Sequence, residues 1–520
     1  MSTDNFPQPD EQGGGAPTGG SCLPRVQADT PDGHDDHIDL VRQHTSNRMP
    51  LRLRTMSSVG LSATKYDALL RRLRELLGPD GVITDPDLLA AHCRDQSALS
   101  LSGSAMALLR PGSTADIAAV VGLAREHAVP LVAQGALTGL SGGANAIDGC
   151  LLLSMSRLDA IIEIDVDNGL AVVQPGVTNA ALSRAVAARG LFYPPDPSSW
   201  QSSTIGGNVA TNAGGLCCVK YGVTADYLRE LEVVIGTGEA IRVGRRTAKG
   251  VAGYNLAQLF VGSEGTLGVI TEVTVGLRPA QSASRTAAAL FGSAREALHA
   301  AERIMATGLR PSMLEFLDGT MLRAIQAYRD VGFPSDADGM LIIESDNGPL
   351  AGEEISRMAQ ICSESGAHEV AEAVDAQEGQ LLQEARRLAL PAAERLGTVL
   401  IDDIALPRSR MLDFLDSLDT IRSAWGVQVF VVGHVGDGNL HPIVCYQAES
   451  EEQCARGAFE AIMDLGLELG GTITGEHGVG LLKRDALKRE LGDTVLGLHR
   501  QLKNVFDPVG IFNPGKVFTN

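Results

Sequence analysis

Four glycine-rich stretches in the first half of the chain constrain its fold and function most strongly. They cover residues 134–143, 206–215, 221–222 and 262–268. Glycine is needed where a Cβ would block close approach to a ligand or where φ must be positive. One such stretch is often only a turn. Four of them, with Asn and Thr interleaved, indicate an extended ligand lying across several loops, because backbone N–H groups of such loops converge on anions such as a pyrophosphate.

The composition excludes several classes of protein. Asp and Glu total 63 against 43 Lys and Arg, a net charge of -20 that repels nucleic-acid phosphates and anionic lipids. No apolar run reaches the length of a membrane span, and no signal peptide is present. The eight cysteines form no C-x-x-C pair, so we expect free thiols and no iron–sulfur cluster held by this chain. No G-x-G-x-x-G fingerprint or P-loop occurs. We therefore expect a cytoplasmic protein that binds no nucleic acid and has no transmembrane segment.

The pattern along the chain predicts a tail and two domains. Residues 1–57 are predicted to be disordered, and the cluster 34–37 (His-Asp-Asp-His) is expected to be solvated rather than metal-binding. Residues 58–282 alternate short strands and helices, whereas glycine becomes rarer and helical periodicity stronger from 283 to 520. The predicted helices include Tyr66–Leu77, Ile117–Ala128, Asn179–Arg189 and Ala294–Thr307. The predicted strands include Leu131–Ala133, Leu151–Met155, Ala160–Asp165, Ala171–Gln174, Leu231–Ile235, Ala240–Val243, Met340–Glu344 and Gln428–Val432.

Two glycine-framed loops of the second domain contain three histidines and a glutamate. A predicted strand leads to His434, a Gly-Asp-Gly turn follows, and the chain returns through His441. Glu476 and His477 are adjacent in a later loop. Two imidazoles and a carboxylate suit Zn²⁺, Mn²⁺ or Fe²⁺ with positions left open for a substrate. The spacing alone leaves open whether these are metal ligands or ordinary loop and core histidines.

Several motifs together resemble a known family. They are Pro194-Pro195-Asp196-Pro197, the segment from Thr204 to Gly215, Val219-Lys220-Tyr221-Gly222, Gly253-Tyr254-Asn255-Leu256 and the segment from Gly262 to Ile270. From about residue 60 to 520 the chain resembles the FAD-linked oxidases with a vanillyl-alcohol-oxidase (PCMH-type) flavin domain. Within that family it is most similar to the branch of glycolate oxidase FAD subunits, D-lactate dehydrogenases and D-2-hydroxyglutarate dehydrogenases. The resemblance implies an α+β fold: a two-part PCMH-type FAD-binding domain, then an α+β substrate (cap) domain whose C-terminal end returns to the flavin.

The resemblance also implies which residues contact FAD. The first glycine loop lacks the histidine that attaches FAD covalently in some members, so non-covalent FAD is expected. Cys217 and Asn255 stand where arginine and aspartate are common, and we expect both to be tolerated. The implied cofactor residues are Gln134, Gly135, Ala136, Leu137, Thr138, Gly139, Ser141, Pro195, Asp196, Gly206, Gly207, Asn208, Thr211, Asn212, Gly214, Gly215, Tyr221, Gly222, Glu264, Gly265, Gly268, Val269, Ile270 and Asn513.

For the substrate site, the resemblance implies a divalent metal, Zn or Mn/Fe, held by His434, His441 and Glu476. It implies His477 as the catalytic acid/base and Arg386 as the carboxylate-binding residue, for which a solvated surface arginine is the alternative. The expected reaction is metal-assisted oxidation of a small 2-hydroxy acid, of the glycolate or D-lactate type, to the 2-keto acid, with hydride transfer to flavin N5. Ile401 and Ile443 stand near positions where D-2-hydroxyglutarate enzymes have lysine and asparagine, which argues against a dicarboxylate substrate.

Three alternatives remain at this point. They are a D-2-hydroxyglutarate dehydrogenase, a non-redox flavoenzyme of the alkyl-dihydroxyacetone-phosphate synthase type, and a non-catalytic flavin subunit. Because the chain has no iron–sulfur motif of its own, we expect the electrons to pass to a quinone, an electron-transfer flavoprotein or an iron–sulfur partner subunit. A homodimer or a hetero-oligomer, peripheral to the membrane through a partner, is compatible with this expectation.

Overall fold

The computed structural model describes residues 62–518, except the side chains of Ala63 and Ala376. The predicted disordered tail, residues 1–57, and the cluster at 34–37 lie outside the described residues. Three main sheets and the helices packed on them form the fold. None of the helices between residues 62 and 518 is both long and apolar enough to cross a membrane.

The helices and strands are numbered in chain order. The helices are α1 (Ala63–Leu77), α2 (Pro86–Ala91), α3 (Thr114–His127), α4 (Asn179–Ala187), α5 (Ile205–Thr211), α6 (Cys218–Tyr221), α7 (Thr224–Tyr227), α8 (Ala257–Phe260), α9 (Ala294–Ala306), α10 (Gly319–Tyr328), α11 (Ala351–Glu364), α12 (Ala376–Leu396), α13 (Met411–Trp425), α14 (Glu452–Glu468) and α15 (Arg484–Phe506). The strands are β1 (Val82–Ile83), β2 (Ala107–Leu109), β3 (Leu131–Gln134), β4 (Leu151–Ser154), β5 (Ile161–Asp165), β6 (Leu170–Val173), β7 (Leu191–Phe192), β8 (Leu228–Val234), β9 (Ala240–Gly244), β10 (Val269–Gly276), β11 (Arg278–Pro279), β12 (Arg285–Phe291), β13 (Met313–Asp318), β14 (Gly339–Ser345), β15 (Ala367–Glu372), β16 (Thr398–Ile401), β17 (Ile404–Ala405), β18 (Gln428–His434) and β19 (Asn439–Tyr446).

The first half of the chain contains two of the main sheets. The four-stranded sheet has the order β1-β2-β4-β3, in which β4 is parallel to both of its neighbours. Every residue of β4 is buried, as expected for a parallel strand covered on both faces. The five-stranded sheet, β5-β6-β10-β8-β9, is antiparallel throughout. The glycine-rich stretches 134–143 and 262–268 lie in loops next to these two sheets, whereas Gly206 and Gly207 belong to helix α5 and Tyr221 ends α6, so the second stretch is a loop only after Thr211.

The second half is built on one larger antiparallel sheet. Its strand order is β15-β12-β14-β13-β18-β19-β16, and β17 adds to β19. Alternate residues of each strand face opposite sides. One side, which includes Leu314 and Val444, packs on α9, α11, α13 and α14. The other side, which includes Leu317 and Ile443, packs on α10 and α12. The site described below lies on this second side, at its end nearest the glycine loops.

The C-terminal segment returns to the first sheet. After α15, Leu131 N donates to Ile511 O at 2.7 Å, and Asn513 N donates to Leu131 O at 2.9 Å. Phe512 thereby pairs in parallel with the first residue of β3. Ile511 and Phe512 are thus part of the core of the four-stranded sheet, although they follow the whole of the large sheet in sequence, whereas Val517 packs in the core of the large sheet.

Candidate active site

A cavity of about 490 Å³ lies where the glycine loops meet the large sheet. Its walls come from both halves of the chain. Residues 134–144, the stretch around 197–214 and residues 263–270 line one part. The other part is lined by residues of the large sheet, of α12 and of the loop before α15, namely Arg386, Ala389, Leu390, Ile401, Val432, His441, Ile443, Glu476 and His477.

Most of the predicted FAD residues line this cavity. They are Gln134, Gly135, Ala136, Leu137, Thr138, Gly139, Ser141, Gly206, Gly207, Asn208, Thr211, Gly214, Glu264, Gly265, Gly268, Val269 and Ile270. Gln134 Oε1, Ser203 Oγ and Asn208 Nδ2 are buried and have no hydrogen-bond partner among the described residues. All three belong to cavity-lining residues, so a polar ligand is needed to satisfy them. A Cβ on Gly135 would lie 2.5 Å from Thr204 Oγ1, which is why this loop requires glycine.

The other predicted cofactor residues stand behind the cavity wall. They are Pro195, Asp196, Asn212, Gly215, Tyr221, Gly222 and Asn513, none of which is among the lining residues of the described chain. Asn513 Nδ2 donates to the carbonyls of Gly143 and Glu264 at 2.9 and 2.6 Å, so it joins two glycine loops. Asn212 Oδ1 accepts from Ala225 N at 2.9 Å. Asn513 and Asn212 therefore hold the glycine-rich segments in place from behind the cavity wall.

The predicted metal ligands converge on Glu476. His434 ends β18 and His441 lies on β19, where it is opposite Val432, so the hairpin places both rings on one side of the sheet. His434 Nε2 and His441 Nε2 lie 3.6 and 3.4 Å from Glu476 Oε1. His477 stacks on His441 with centroids 5.0 Å apart. Four residues that the sequence predicts from two separate loops therefore form one cluster.

The charges of this cluster suit a cation. Burial tends to raise the pKa of Glu476, but the hydrogen bond and charge of His434 and the other imidazoles lower that pKa to about 2. Burial, together with the charge of His477, lowers the pKa of His441 to about 3. At neutral pH Glu476 is therefore an anion and His441 is a neutral imidazole. These are the protonation states in which both residues can ligate a metal. Burial tends to lower the pKa of His434, but Glu315 and Glu476 raise that pKa well above its ordinary value, so a metal bound at His434 would have to displace a proton.

The ligating atoms are close enough to share one ion. His434, His441 and Glu476 each offer one atom within 4.8 Å of the others, and so do Asp403, His441 and His477. His434 Nε2, His441 Nδ1 and His477 Nδ1 are buried without a hydrogen-bond partner among residues 62–518. Unpaired buried ring nitrogens are costly unless a ligand or water satisfies them. The donor set therefore fits a divalent metal such as Zn²⁺.

Arg386 lies on α12 and lines the cavity. Its Nε donates to Glu315 Oε2 at 2.9 Å, and its side chain is 17% exposed. This is not the environment of the solvated surface arginine considered as the alternative. The neighbouring Arg387 is exposed, as expected for the outer side of the helix. The structure therefore aims one arginine of the pair at the cavity.

An apolar wall adjoins the charged cluster. Ile401 and Ile443 are directly opposite each other in the β16–β19 pair, and both line the cavity. Val432 and Leu390 continue this wall. Gln383 Nε2 donates to Glu344 Oε2 at 2.9 Å, so this polar side chain is paired outside the wall. No charged side chain is found in this wall among the described lining residues.

Two buried carboxylates were not predicted as site residues. Glu315 contacts both His434 Nδ1, at 2.5 Å, and Arg386. Asp403 Oδ2 accepts from the backbone N–H groups of Glu476 and His477, both at 2.8 Å. Each is an acidic residue within an apolar sequence, which is the one signal that could have identified it.

Comparison with known proteins now adds to this geometry. Residues 105–244 match the FAD binding domain family, and residues 280–517 match the family described as FAD linked oxidases, C-terminal domain. The glycolate oxidase subunit GlcD of Bacillus subtilis is 42% identical over 417 residues, 79% of this chain and 88% of that protein. The chain belongs to the FAD-linked oxidase family.

Two further relatives of this FAD-linked oxidase are named as dehydrogenases of other hydroxy acids. A D-lactate dehydrogenase of Anaerostipes hadrus is 32% identical over 86% of this chain and 97% of that protein. A D-2-hydroxyglutarate dehydrogenase of Stutzerimonas stutzeri is 33% identical over 87% of this chain and 99% of that protein. The crystal structure of p-cresol methylhydroxylase with substrate bound has a TM-score of 0.73 at 15% identity, covering 88% of this chain and 98% of that one, which shows the shared fold. The predicted two-domain PCMH-type fold and FAD as the cofactor are confirmed.

Proposed function

We propose that this FAD-linked oxidase converts small 2-hydroxy monocarboxylic acids, of the glycolate or D-lactate type, to 2-keto acids. We further propose that FAD is bound non-covalently and that His434, His441 and Glu476 hold a divalent metal. One observation supports this most directly. Arg386, His441, Glu476, His477 and the glycine loops all line one cavity, and His434 lies directly behind Glu476. A carboxylate anchor, a cation site and a flavin site are therefore adjacent.

Each side chain has a distinct task in this proposal. The terminal nitrogens of Arg386 bind the substrate carboxylate through two parallel hydrogen bonds. The substrate hydroxyl then lies toward the histidine–glutamate cluster. His477, whose buried Nδ1 has no partner among the described residues, takes the hydroxyl proton at that atom. Asp403 holds the backbone N–H groups of Glu476 and His477 and so keeps both side chains directed at the cavity.

The bound groups supply the chemistry that side chains lack. When bound, FAD would accept the hydride from C2, which carries both electrons of the oxidation, and a divalent ion held by His434, His441 and Glu476 would polarise the hydroxyl oxygen as a Lewis acid. The first relative named above is a subunit by name, which supports a partner subunit as electron acceptor. A quinone or an electron-transfer flavoprotein would fill the same role.

The apolar wall supports a short substrate. Ile401 and Ile443 can contact a hydrogen, a methyl group or a short alkyl chain at C2, but they offer no partner for a second carboxylate. Burying an unpaired carboxylate costs several kcal/mol or shifts its pKa, on the order of the penalties seen for buried ions. Similarity to a D-2-hydroxyglutarate dehydrogenase is therefore not sufficient to propose that substrate.

Anaerobic titration of the FAD-loaded protein tests the proposal. Glycolate, D-lactate, L-lactate and D-2-hydroxyglutarate are added separately, and the flavin absorbance near its visible maximum is recorded. We expect bleaching by short monocarboxylates. If none of the four acids bleaches the flavin, the protein is better explained as a non-redox or non-catalytic flavoprotein. If D-2-hydroxyglutarate bleaches it in preference to the short acids, the proposed substrate class is wrong. In parallel, the double variant His434→Ala/His441→Ala is expected to lose both bound metal and substrate turnover.

A further inference from the structure

We infer that Glu315 is a positioning residue that orients two groups of the site at once, the guanidinium of Arg386 and the imidazole of His434. The inference rests on the proposed function, in which these groups bind the substrate carboxylate and the metal. It concerns a residue that the sequence pattern does not single out.

Glu315 occupies an unusual position for a carboxylate. It lies in the middle of β13 and is fully buried. It is opposite Ile342 on β14 and His434 on β18, while its neighbours in sequence, Leu314 and Phe316, face the core on the other side of the sheet. An ionised carboxylate there is strongly destabilising unless it is paired and hydrogen-bonded.

Each carboxylate oxygen of Glu315 has its own partner. Oε1 lies 2.5 Å from His434 Nδ1, and Oε2 accepts from Arg386 Nε at 2.9 Å. The two partners come from different elements, since His434 is on β18 and Arg386 is on α12. The single carboxylate therefore sets the distance between a strand residue and a helix residue.

The two contacts leave the functional atoms free. When Nδ1 of His434 is bonded to Glu315, Nε2 is directed to Glu476, 3.6 Å away. A carboxylate on the second ring nitrogen is the usual way to orient a metal-binding histidine. Likewise, Glu315 uses Nε of Arg386, so the edge formed by the two terminal nitrogens remains for a carboxylate. Loss of Glu315 would thus weaken cation binding and anion binding together, although Glu315 would touch neither ligand.

Glu344 is a matched control. It lies on β14, and its Cα partner on β13 is Met313, so its side chain is on the same side of the sheet as that of Glu315. Its carboxylate accepts from Ser312 Oγ and Gln383 Nε2, each at 2.9 Å. It is the same residue type on the same side of the sheet, although it is half-buried where Glu315 is fully buried, and its bonded partners are neither His434 nor Arg386.

The test uses FAD-loaded full-length protein and two probes. The dissociation constant of Zn²⁺ is measured by competition with a chromogenic chelator. That of propionate, a monocarboxylate without a hydroxyl group to chelate the metal, is measured on metal-free protein from the change in flavin absorbance. We expect Glu315→Gln to raise both constants by roughly tenfold or more, the range found when the orienting partner of a ligand is replaced. Glu344→Gln should leave both within about twofold of the wild type, with FAD content unchanged.

Glu315→Asp provides a second variant in case Glu315→Gln folds poorly. Aspartate keeps the charge but is one methylene shorter, so it can bond to His434 or to Arg386 but not to both. We expect it to impair one probe more than the other. Wild-type constants for both probes in both Glu315 variants would overturn the inference while leaving the proposed function intact. If the wild type binds neither Zn²⁺ nor propionate and no 2-hydroxy acid bleaches its flavin, the proposed function fails and the inference fails with it.

Discussion

Arg386 and its neighbour Arg387 show how strongly a single residue's direction determines its role. Both lie on α12, but only Arg386 lines the cavity, whereas Arg387 is exposed. In the proposed function the planar guanidinium of Arg386 forms two hydrogen bonds to the substrate. A lysine ammonium at the same position would keep the charge but lose that geometry.

We therefore expect Arg386→Lys to raise KM for glycolate or D-lactate by about ten- to a hundredfold, corresponding to roughly 1.4–2.8 kcal/mol of lost binding. Steady-state turnover with an artificial dye acceptor measures this effect. Arg387→Lys serves as the control and should leave KM unchanged. An unchanged KM in Arg386→Lys would show that Arg386 acts only through its charge and not through the geometry of its guanidinium.

On strand β19, too, the direction of a side chain determines its role. Ile443 faces the cavity and Val444, the next residue, is buried in the core on the opposite side of the sheet. We expect Ile443→Asn to be tolerated and to raise activity on D-2-hydroxyglutarate relative to D-lactate. Val444→Asn should instead destabilise the protein by about 2–4 kcal/mol, because it buries an unpaired amide. Thermal midpoints and the ratio of kcat/KM for the two acids distinguish these outcomes.

The C-terminal segment contains a buried lysine whose charge depends on pH. Burial lowers the pKa of Lys516 to about 8 from an ordinary value of 10.5, although Cys150, Asp95 and Glu264 act in the opposite direction. Its Nζ donates to the carbonyls of Gly143 and Asn145 in the flavin domain. The folded state binds the proton of Lys516 more weakly than the unfolded state does. The free energy of unfolding therefore increases as pH rises from 8 to 10.5, and it decreases as pH falls through the same range.

We expect the thermal midpoint of the wild type, relative to Lys516→Met, to rise between pH 8 and pH 10. The full effect is on the order of 3 kcal/mol. Flavin fluorescence, which increases when FAD is released, reports the midpoint at each pH. Parallel pH profiles of the two proteins would contradict this assignment, because other groups that titrate in the same range are present in both.

Sequence reasoning predicts elements best where the periodicity is clear. The helix predicted at Ala294–Thr307 is present as Ala294–Ala306, but the one predicted from Tyr66 begins at Ala63, because the Ser62 hydroxyl accepts from Lys65 N and caps an earlier turn. The clustering of His434, His441, Glu476 and His477 could be anticipated because glycine-framed motifs contain them, while their proposed roles rest on the family resemblance. Glu315 is not, because its role comes from pairing with His434, 119 residues away, and no local spacing reveals that contact.

At the scale of the whole molecule, two sets of polar contacts join the domains. Asp346 of the substrate domain bonds to Lys220 and Tyr221 of the flavin domain, and its side chain is only 2% exposed. Elsewhere, Glu264 of a glycine loop accepts from Val479 N and Gly480 N, at 2.7 and 2.9 Å. The loop containing His477 is thus attached directly to the flavin side of the cavity.

We expect Asp346→Asn to lower the stability of the protein by about 3 kcal/mol, the cost of leaving a buried partner charge unpaired, discounted because Lys220 remains partly exposed. The thermal midpoint followed by flavin fluorescence should fall by several degrees. Glu126→Gln, which removes an exposed ion pair with Arg72, is the control and should change the stability by less than about 0.5 kcal/mol. Equal midpoints for wild type and Asp346→Asn would show that the contact does not hold the domains together.

The return of residues 511–517 to the first sheet has a consequence for biosynthesis. Leu131, the first residue of β3, bonds to Ile511 and Asn513 in addition to the pairing of β3 with β4, and Asn513 also joins two of the glycine loops. These contacts can form only after residues 511–513 have left the ribosome. We therefore expect a growing chain to retain FAD less tightly than the folded protein, so the cofactor would be acquired after the C-terminal half of the chain has been made.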